Sequence, residues 1–430
     1  MRFLGWAALL VAGAASAQQP AAPDAGGVPM VAVPPLPTPK IEQTSAGQTH
    51  AIGLQVAEVI VSDLRTTGAA APVGPQNLRV YSYPEVTGPL FQQWKSIGAK
   101  YLVTGFVQAR EGDRLTIGCY LYDINLRREV ARKGFVVPTG EWRTAAHRCS
   151  DAIYTGITKK PGMFDARIAY VSESGAIGER QKRIAVMDSD GSNHRFLTTN
   201  TRTVIEPTMA PSGEVVAYTS LDQRLPQIRI VTMADGSDRP LLPGAAMTFA
   251  PRFSPDGERM LFSMDVNGNT DLYIVSLAGG APVRLTSTPG SDTAGSFSPD
   301  GSKIVFESER SGSPQLYVMN ADGSSQQRIS FGQGRYSAPV WSASGDLIAF
   351  SRGAGIGVMT ATGGDERMIT GNPYDEEPSW SPSGDQLLFQ RYDPATRRMS
   401  LMSVAASGGE ARVRLTPQDG SDPDWSQVQE

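Results

Sequence analysis

The tetrapeptide Ser254-Pro255-Asp256-Gly257 returns intact at Ser298-Pro299-Asp300-Gly301. Weaker copies stand at Ala210-Pro211-Ser212-Gly213, Ser342-Ala343-Ser344-Gly345 and Ser381-Pro382-Ser383-Gly384, and a truncated one, Trp425-Ser426, lies near the C-terminus. Each copy follows a bulky apolar residue: Met209, Phe253, Phe297, Trp341, Trp380 and Trp425. A period of roughly 40–45 residues, with several short β-rich runs in each unit, marks a β-propeller. One such unit cannot bury its own face, so the units must stack into a ring.

Four strand types repeat through 168–425. The first carries the bulky residues above. The second is expected at 168–172, 215–220, 260–264, 304–308, 347–351 and 387–390. The third is expected at 184–187, 228–232, 272–276, 316–320, 356–360 and 401–405, and the fourth at 196–198, 240–242, 283–285, 328–330, 368–370 and 413–415. The series opens on a second-type strand and ends on a first-type strand. A linear array would leave both ends as open edges, which invite mispairing. The expectation is therefore six blades, with the C-terminal strand completing the first.

The chain divides into 1–17, 18–40, 41–160 and 161–430. Met1-Arg2, an apolar stretch over 3–12 and Ala15-Ser16-Ala17 form a secretory signal with cleavage expected after Ala17. No later run approaches the ~20 apolar residues of a spanning helix. Residues 18–40 are rich in Pro and Ala and are expected to be a flexible arm, most of it extended or disordered, with Val28, Met30, Val31 and Val33 as its β-prone part and 30–33 as a run that could pair as a strand. In 41–160 the spacing of Ile52, Val56, Val59, Ile60 and Leu64 predicts a helix over 46–65. Strands are expected at 78–82, 101–107 and 115–122, a second helix from Pro89 and a third over 141–157. The fold class is thus a small α/β domain followed by a six-bladed propeller. Cys119 and Cys149 fall on facing surfaces of a strand and a helix; export permits a disulfide, and two buried thiols are the alternative.

The catalytic signatures are missing from this sequence. His50, His147 and His194 lack metal-ligand spacing. There is no Gly-x-Ser-x-Gly elbow and no phosphate loop. The net charge of −4 and the lack of a basic run argue against nucleic acid. No cofactor or metal is implied. Glu376-Glu377 point to opposite faces of a strand and read as a charged rim rather than a coupled pair. What remains is a binding platform at the channel mouth, where each inner strand begins. Glu206, Ala250, Thr293, Tyr336 and Glu377 fall there, with enough acid to favour Lys or Arg tips on a ligand.

The chain resembles the TolB family of the Tol–Pal system. The resemblance is carried by Ile60-Val61-Ser62-Asp63-Leu64-Arg65, Ala166-Arg167-Ile168-Ala169-Tyr170-Val171-Ser172, Phe297-Ser298-Pro299-Asp300-Gly301-Ser302-Lys303 and Gln315-Leu316-Tyr317-Val318-Met319-Asn320. It implies a monomeric, non-enzymatic periplasmic adaptor. Such a protein would bind the lipoprotein Pal at the channel mouth and TolA through the N-terminal arm, with other outer-membrane proteins as further partners. It would serve envelope integrity and constriction at division. The family's Pal-contact positions fall on Met247, Ala250 and Thr293; the first is commonly His in relatives. Two other readings compete: the propeller of a peptidase-like hydrolase, which needs a catalytic domain with a nucleophile elbow, and a carbohydrate- or peptide-binding propeller, which needs more aromatics at the mouth than Phe249 and Tyr336.

Overall fold

The computed structural model describes residues 27–175, 179–199, 203–222, 224–244, 246–413, 416 and 419–427. The signal segment 1–17 and arm residues 18–26 lie outside the described residues. The N-terminal unit is a five-stranded sheet covered by helices. Its strands are β1 (Met30–Ala32), β2 (Ala71–Val73), β3 (Tyr101–Arg110), β4 (Arg114–Asp123) and β5 (Arg128–Pro138), in the order β2-β1-β3-β4-β5. β1 is parallel to both its neighbours, and β3, β4 and β5 form an antiparallel meander. Helix α1 (Thr49–Thr67) lays Ile52, Val56, Val59, Ile60 and Leu64 on the sheet, the short α2 (Phe91–Lys95) buries Trp94, and α3 (Trp142–Thr158) adds Ala145, Cys149 and Ile153. Cys119 on β4 and Cys149 on α3 are joined by a disulfide.

Three local expectations change. The run 30–33 does supply a paired strand, but inside the N-terminal sheet rather than on a free arm. β1 is an interior strand, and Met30, Val31 and Val33 are buried while Val28 stays exposed. Residues 78–82 are not a strand, because Ala71–Val73 takes the ladder position beside β1. The run is held by side chains instead. The hydroxyl of Tyr81 accepts from the Gly105 amide at 2.8 Å, and Arg79 pairs with Glu85 at 2.7 Å. Strand β5 has no counterpart in the expected set. It is an edge strand whose charged residues leave little apolar alternation to read.

From Arg167 onward six four-stranded antiparallel sheets follow one another. The first blade contains β6 (Arg167–Ser174) and β7 (Gln181–Asp188), and its inner strand is the C-terminal Asp419–Trp425. The ring is closed as expected. The repeated Ser-Pro-Asp-Gly is a turn staple: Ser254 Oγ accepts the Arg259 amide at 3.0 Å, and Ser298 Oγ accepts the Lys303 amide at 2.9 Å. Gly257 and Gly301 adopt φ of +70° and +68°, a conformation glycine enters without steric cost. A second set of bulky residues, one per blade, is fully buried on the second strands: Tyr170, Tyr218, Phe262, Phe306, Phe350 and Phe389.

The two units meet through buried charge. Nδ1 of His147, on α3, lies 2.9 Å from Asp63 on α1, and Nε2 lies 3.8 Å from Asp190, in the turn after β7. Arg143 also pairs with Asp190 and donates to Ser192 at 2.8 Å. Asp63 and Asp190 thus face His147 and Arg143 across the junction, and buried ions persist only when so paired. Burial alone would lower the His147 pKa, but Asp63, Asp190 and Asp188 overcome it and push it up to about 9. Folding thus favours the imidazolium. Its contribution is complete below the unfolded histidine pKa of about 6.5 and is lost as pH rises through the folded value. The melting temperature should fall between pH 7 and 10 for this reason. His147→Gln should cost about 3 kcal/mol at pH 7 and flatten that fall, which thermal scans of both proteins across the range would read. An unchanged slope in the variant would assign the pH dependence elsewhere.

Candidate functional site

The inner strands begin at one mouth of the channel with Val204, Thr248, Asp292, Tyr336, Asp375 and Asp419. Every one of the six carries a register shift against its neighbour a few residues in. At that bulge stands a non-glycine residue in the left-handed region: Glu206 (φ 52°), Ala250 (51°), Ala294 (51°), Ala338 (47°), Glu377 (54°) and Asp422 (49°). A bulge re-aims one side chain and tightens local twist. Six equivalent bulges therefore turn six equivalent side chains in a ring. The ring is asymmetric, since the three carboxylates occupy the consecutive sixth, first and second blades and the three alanines occupy the other half.

A cavity of about 160 Å³ opens here, lined among others by Glu206, Ala250, Thr293, Ala294, Glu307 and Glu377. Four of the residues expected at the platform are thus brought together: Glu206, Ala250, Thr293 and Glu377. Met247 lies just ahead of the third blade's inner strand, its carbonyl accepting the Asp265 amide at 3.0 Å. Tyr336 is a correction. Its ring is fully buried against Phe350, and its hydroxyl donates to Glu366 at 2.9 Å. It therefore presents no surface to a ligand. Glu377 is a second correction, because only Glu376 is exposed at the rim and Glu377 is turned into the cavity by the bulge.

Electrostatics follow from this crowding. Burial, then the neighbouring Asp422 and Glu206, push the Glu377 carboxyl up to about 8, with Arg252 opposing. Burial and Glu206 push Asp422 up to about 6, and burial pushes Glu307 up to about 7. Glu206 itself is held by the Ala250 amide at 2.8 Å and the Thr219 hydroxyl at 2.9 Å. Arg252 lines this cavity and also a wider one of about 380 Å³ towards the other mouth, walled by Phe253, Phe297, Trp341, Trp380 and Trp425. The guanidinium-bearing residue stands between the acidic end of the channel and its aromatic end.

The sequence places these residues at the starts of the inner strands but does not display the bulge. The legible signal was a small or acidic residue followed by Pro three positions before the bulky residue, as in Glu206-Pro207, Ala250-Pro251, Ala338-Pro339, Glu377-Pro378 and Asp422-Pro423. No metal-ligand set was expected from sequence. Among the described residues one group has suitable atoms within reach, Asp63, His147 and Asp190. It is already neutralised by Arg143 at the junction.

A carboxyl raised from about 4.5 to about 8 by folding stabilises the fold fully at pH below the unfolded value, and that contribution is lost as pH rises through 8. Glu377→Gln should therefore melt with the parent at pH 5 and above it at pH 8.5. A variant that melts lower at both pH values would show that the carboxylate is stabilised, not strained, in the channel.

The fold and site define a class: a six-bladed propeller behind a small α/β domain, with a carboxylate- and alanine-lined channel mouth. The TolB beta propeller domain matches residues 154–429, and the TolB amino-terminal domain matches residues 29–130. The chain belongs to the TolB family. It is 50% identical over 217 residues to the Tol-Pal system protein TolB of Zymomonas mobilis, covering 50% of this chain and 47% of that one. It is 47% identical over 198 residues to the protein of the same name from Rhizorhabdus wittichii, covering 45% of each. The chain spans about half the length of the curated relatives it matches. The crystal structure of TolB from Acinetobacter baumannii superposes with a TM-score of 0.78 at 26% identity, covering 93% of this chain and 97% of that one.

Proposed function

We propose that this protein is a non-enzymatic adaptor of the Tol–Pal system, exported to the periplasm after cleavage at Ala17, that binds the lipoprotein Pal at the acidic mouth of the propeller channel. The observation that carries the reading is the convergence of Ala250, Thr293, Glu206 and Glu377 on one small cavity. Alanines on one half of the ring let a partner's chain approach the backbone. Carboxylates on the other half favour a cationic tip on that partner. Met247 at the rim supplies an adaptable apolar contact. The buried disulfide supports an oxidising compartment, and no helix among the described residues is long and apolar enough to cross a membrane. Through these contacts the protein supports outer-membrane integrity and constriction of the envelope at division.

We further propose that TolA engages the N-terminal segment. Because Val31 and Val33 are core residues, capture of 28–33 itself requires β1 to leave the sheet, at about 1.5–3 kcal/mol for each large side chain exposed. Capture is proposed to include 18–27, the segment that leads into β1.

Two experiments test these contacts. Replacing Ala250 and Thr293 with Arg should abolish co-precipitation of Pal while lowering the melting temperature by only a few degrees, since both side chains face the cavity. Intact co-precipitation would place the interface elsewhere. Deleting 18–27 should weaken TolA binding, and unchanged affinity would exclude that segment.

A further inference from the structure

Strand β5 is the long free edge of the N-terminal sheet. It pairs with β4 along one side only, and the opposite edge of the sheet is the three-residue β2. Beside β5 runs a groove of about 600 Å³, walled by Val130, Ala131 and Phe135 from the strand and by Ala152, Thr155 and Gly156 from α3. The close approach of helix to strand depends on Gly156, where a Cβ would meet Leu121 at 2.8 Å and Ala131 at 3.3 Å. The disulfide from Cys119 to Cys149 ties α3 to the strand next to β5. Cys119 sits directly across from Lys133 in the ladder. The groove is therefore preformed, which spares a ligand the cost of ordering it.

The rim of this groove is basic. Arg132, Lys133, Arg148 and Lys159 line it, against one carboxylate, Asp151. That carboxylate is already engaged by the amides of Met163, Phe164 and Asp165 at 2.7–3.0 Å. Arg148 is paired with Asp165 and Arg132 with Glu129. Lys133 and Lys159 are both exposed, and no carboxylate among the described residues pairs with either. On a chain of net charge −4, this is a local reversal of sign. Positive charge along a free edge repels a second copy of the same edge. It attracts an acidic strand.

We propose that β5 and its groove dock an extended partner segment with alternating acidic and apolar residues, added to the sheet as a further strand. The backbone of β5 supplies the ladder, the acidic side chains on the groove face reach Lys133 and Lys159, and the apolar ones fall on the opposite face of the added strand, where Val136 is exposed. This surface is independent of the channel mouth, and its test does not involve Pal.

The probe is a fluorescent decapeptide of alternating Glu and Val, titrated into the full chain and followed by anisotropy. Binding should weaken as salt is raised through the range where the Debye length falls below about 8 Å. The double change Lys133→Glu with Lys159→Glu should weaken it about tenfold with an unchanged melting temperature. A peptide N-methylated at every amide should lose binding, because neither of its edges can then join the ladder. Equal binding of a Lys-Val decapeptide, or of the Glu-Val peptide to the double variant, overturns the charge complementarity. Full binding of the N-methylated peptide overturns strand addition.

Discussion

The architecture depends on one ladder. Asp419–Trp425 pairs with β6 across nearly the whole length of the chain between them, Trp425 opposite Ile168 and Gly420 opposite Ser172. Ser426 then does across the chain ends what Ser254 and Ser298 do inside single turns. Its hydroxyl accepts the Arg167 amide at 2.9 Å, and its amide donates to the Arg167 carbonyl at 2.8 Å. The device that ends the inner strands of the third and fourth blades locally is used once, non-locally, to seal the ring. Neighbouring blades are tied at the same level. The Trp425 amide donates to Ser379 at 2.9 Å, and the Met209 amide donates to Asp424 at 2.7 Å. The closing strand is therefore bonded both to its own blade and to blades on either side.

Closure also fixes the channel. The sixth, first and second blades become consecutive only when the ring is sealed. The cluster of Glu377, Asp422 and Glu206 thus exists because the C-terminal strand lies where it does. Its raised carboxyl pKa values are a consequence of topology as much as of composition. The folded chain carries that electrostatic strain at the channel mouth.

The ring was legible because its signals are periodic and local: a turn tetrapeptide, a bulky residue before it, and alternating strands after it. The count of six and the shared first blade followed from the order of strand types. The N-terminal unit was less legible because its strands are paired non-locally. β1 reads as part of a proline-rich arm, yet Val31 and Ala32 are held between two parallel neighbours that arrive from distant sequence. β5 offers little apolar alternation to read, because its outer edge meets solvent. At the site, the alternation rule placed Glu376 and Glu377 on opposite faces correctly. It could not show that a bulge would turn Glu377 inward, nor that Tyr336 would be spent on packing and on Glu366. Those outcomes are set by contacts with adjacent blades, which a single repeat does not display.

Native-state hydrogen exchange of the closing strand bears most directly on this account. If the ladder to β6 holds the ring together, the amides of Ser421 and of Ser426, which donates to the Arg167 carbonyl, open only with the whole propeller, and their exchange free energy equals that of the central strands Lys303–Ser308 and Leu347–Arg352. Exchange of 419–425 through low-energy fraying, while those strands remain protected, would show that the propeller stands without its last strand and would contradict closure as the organising interaction.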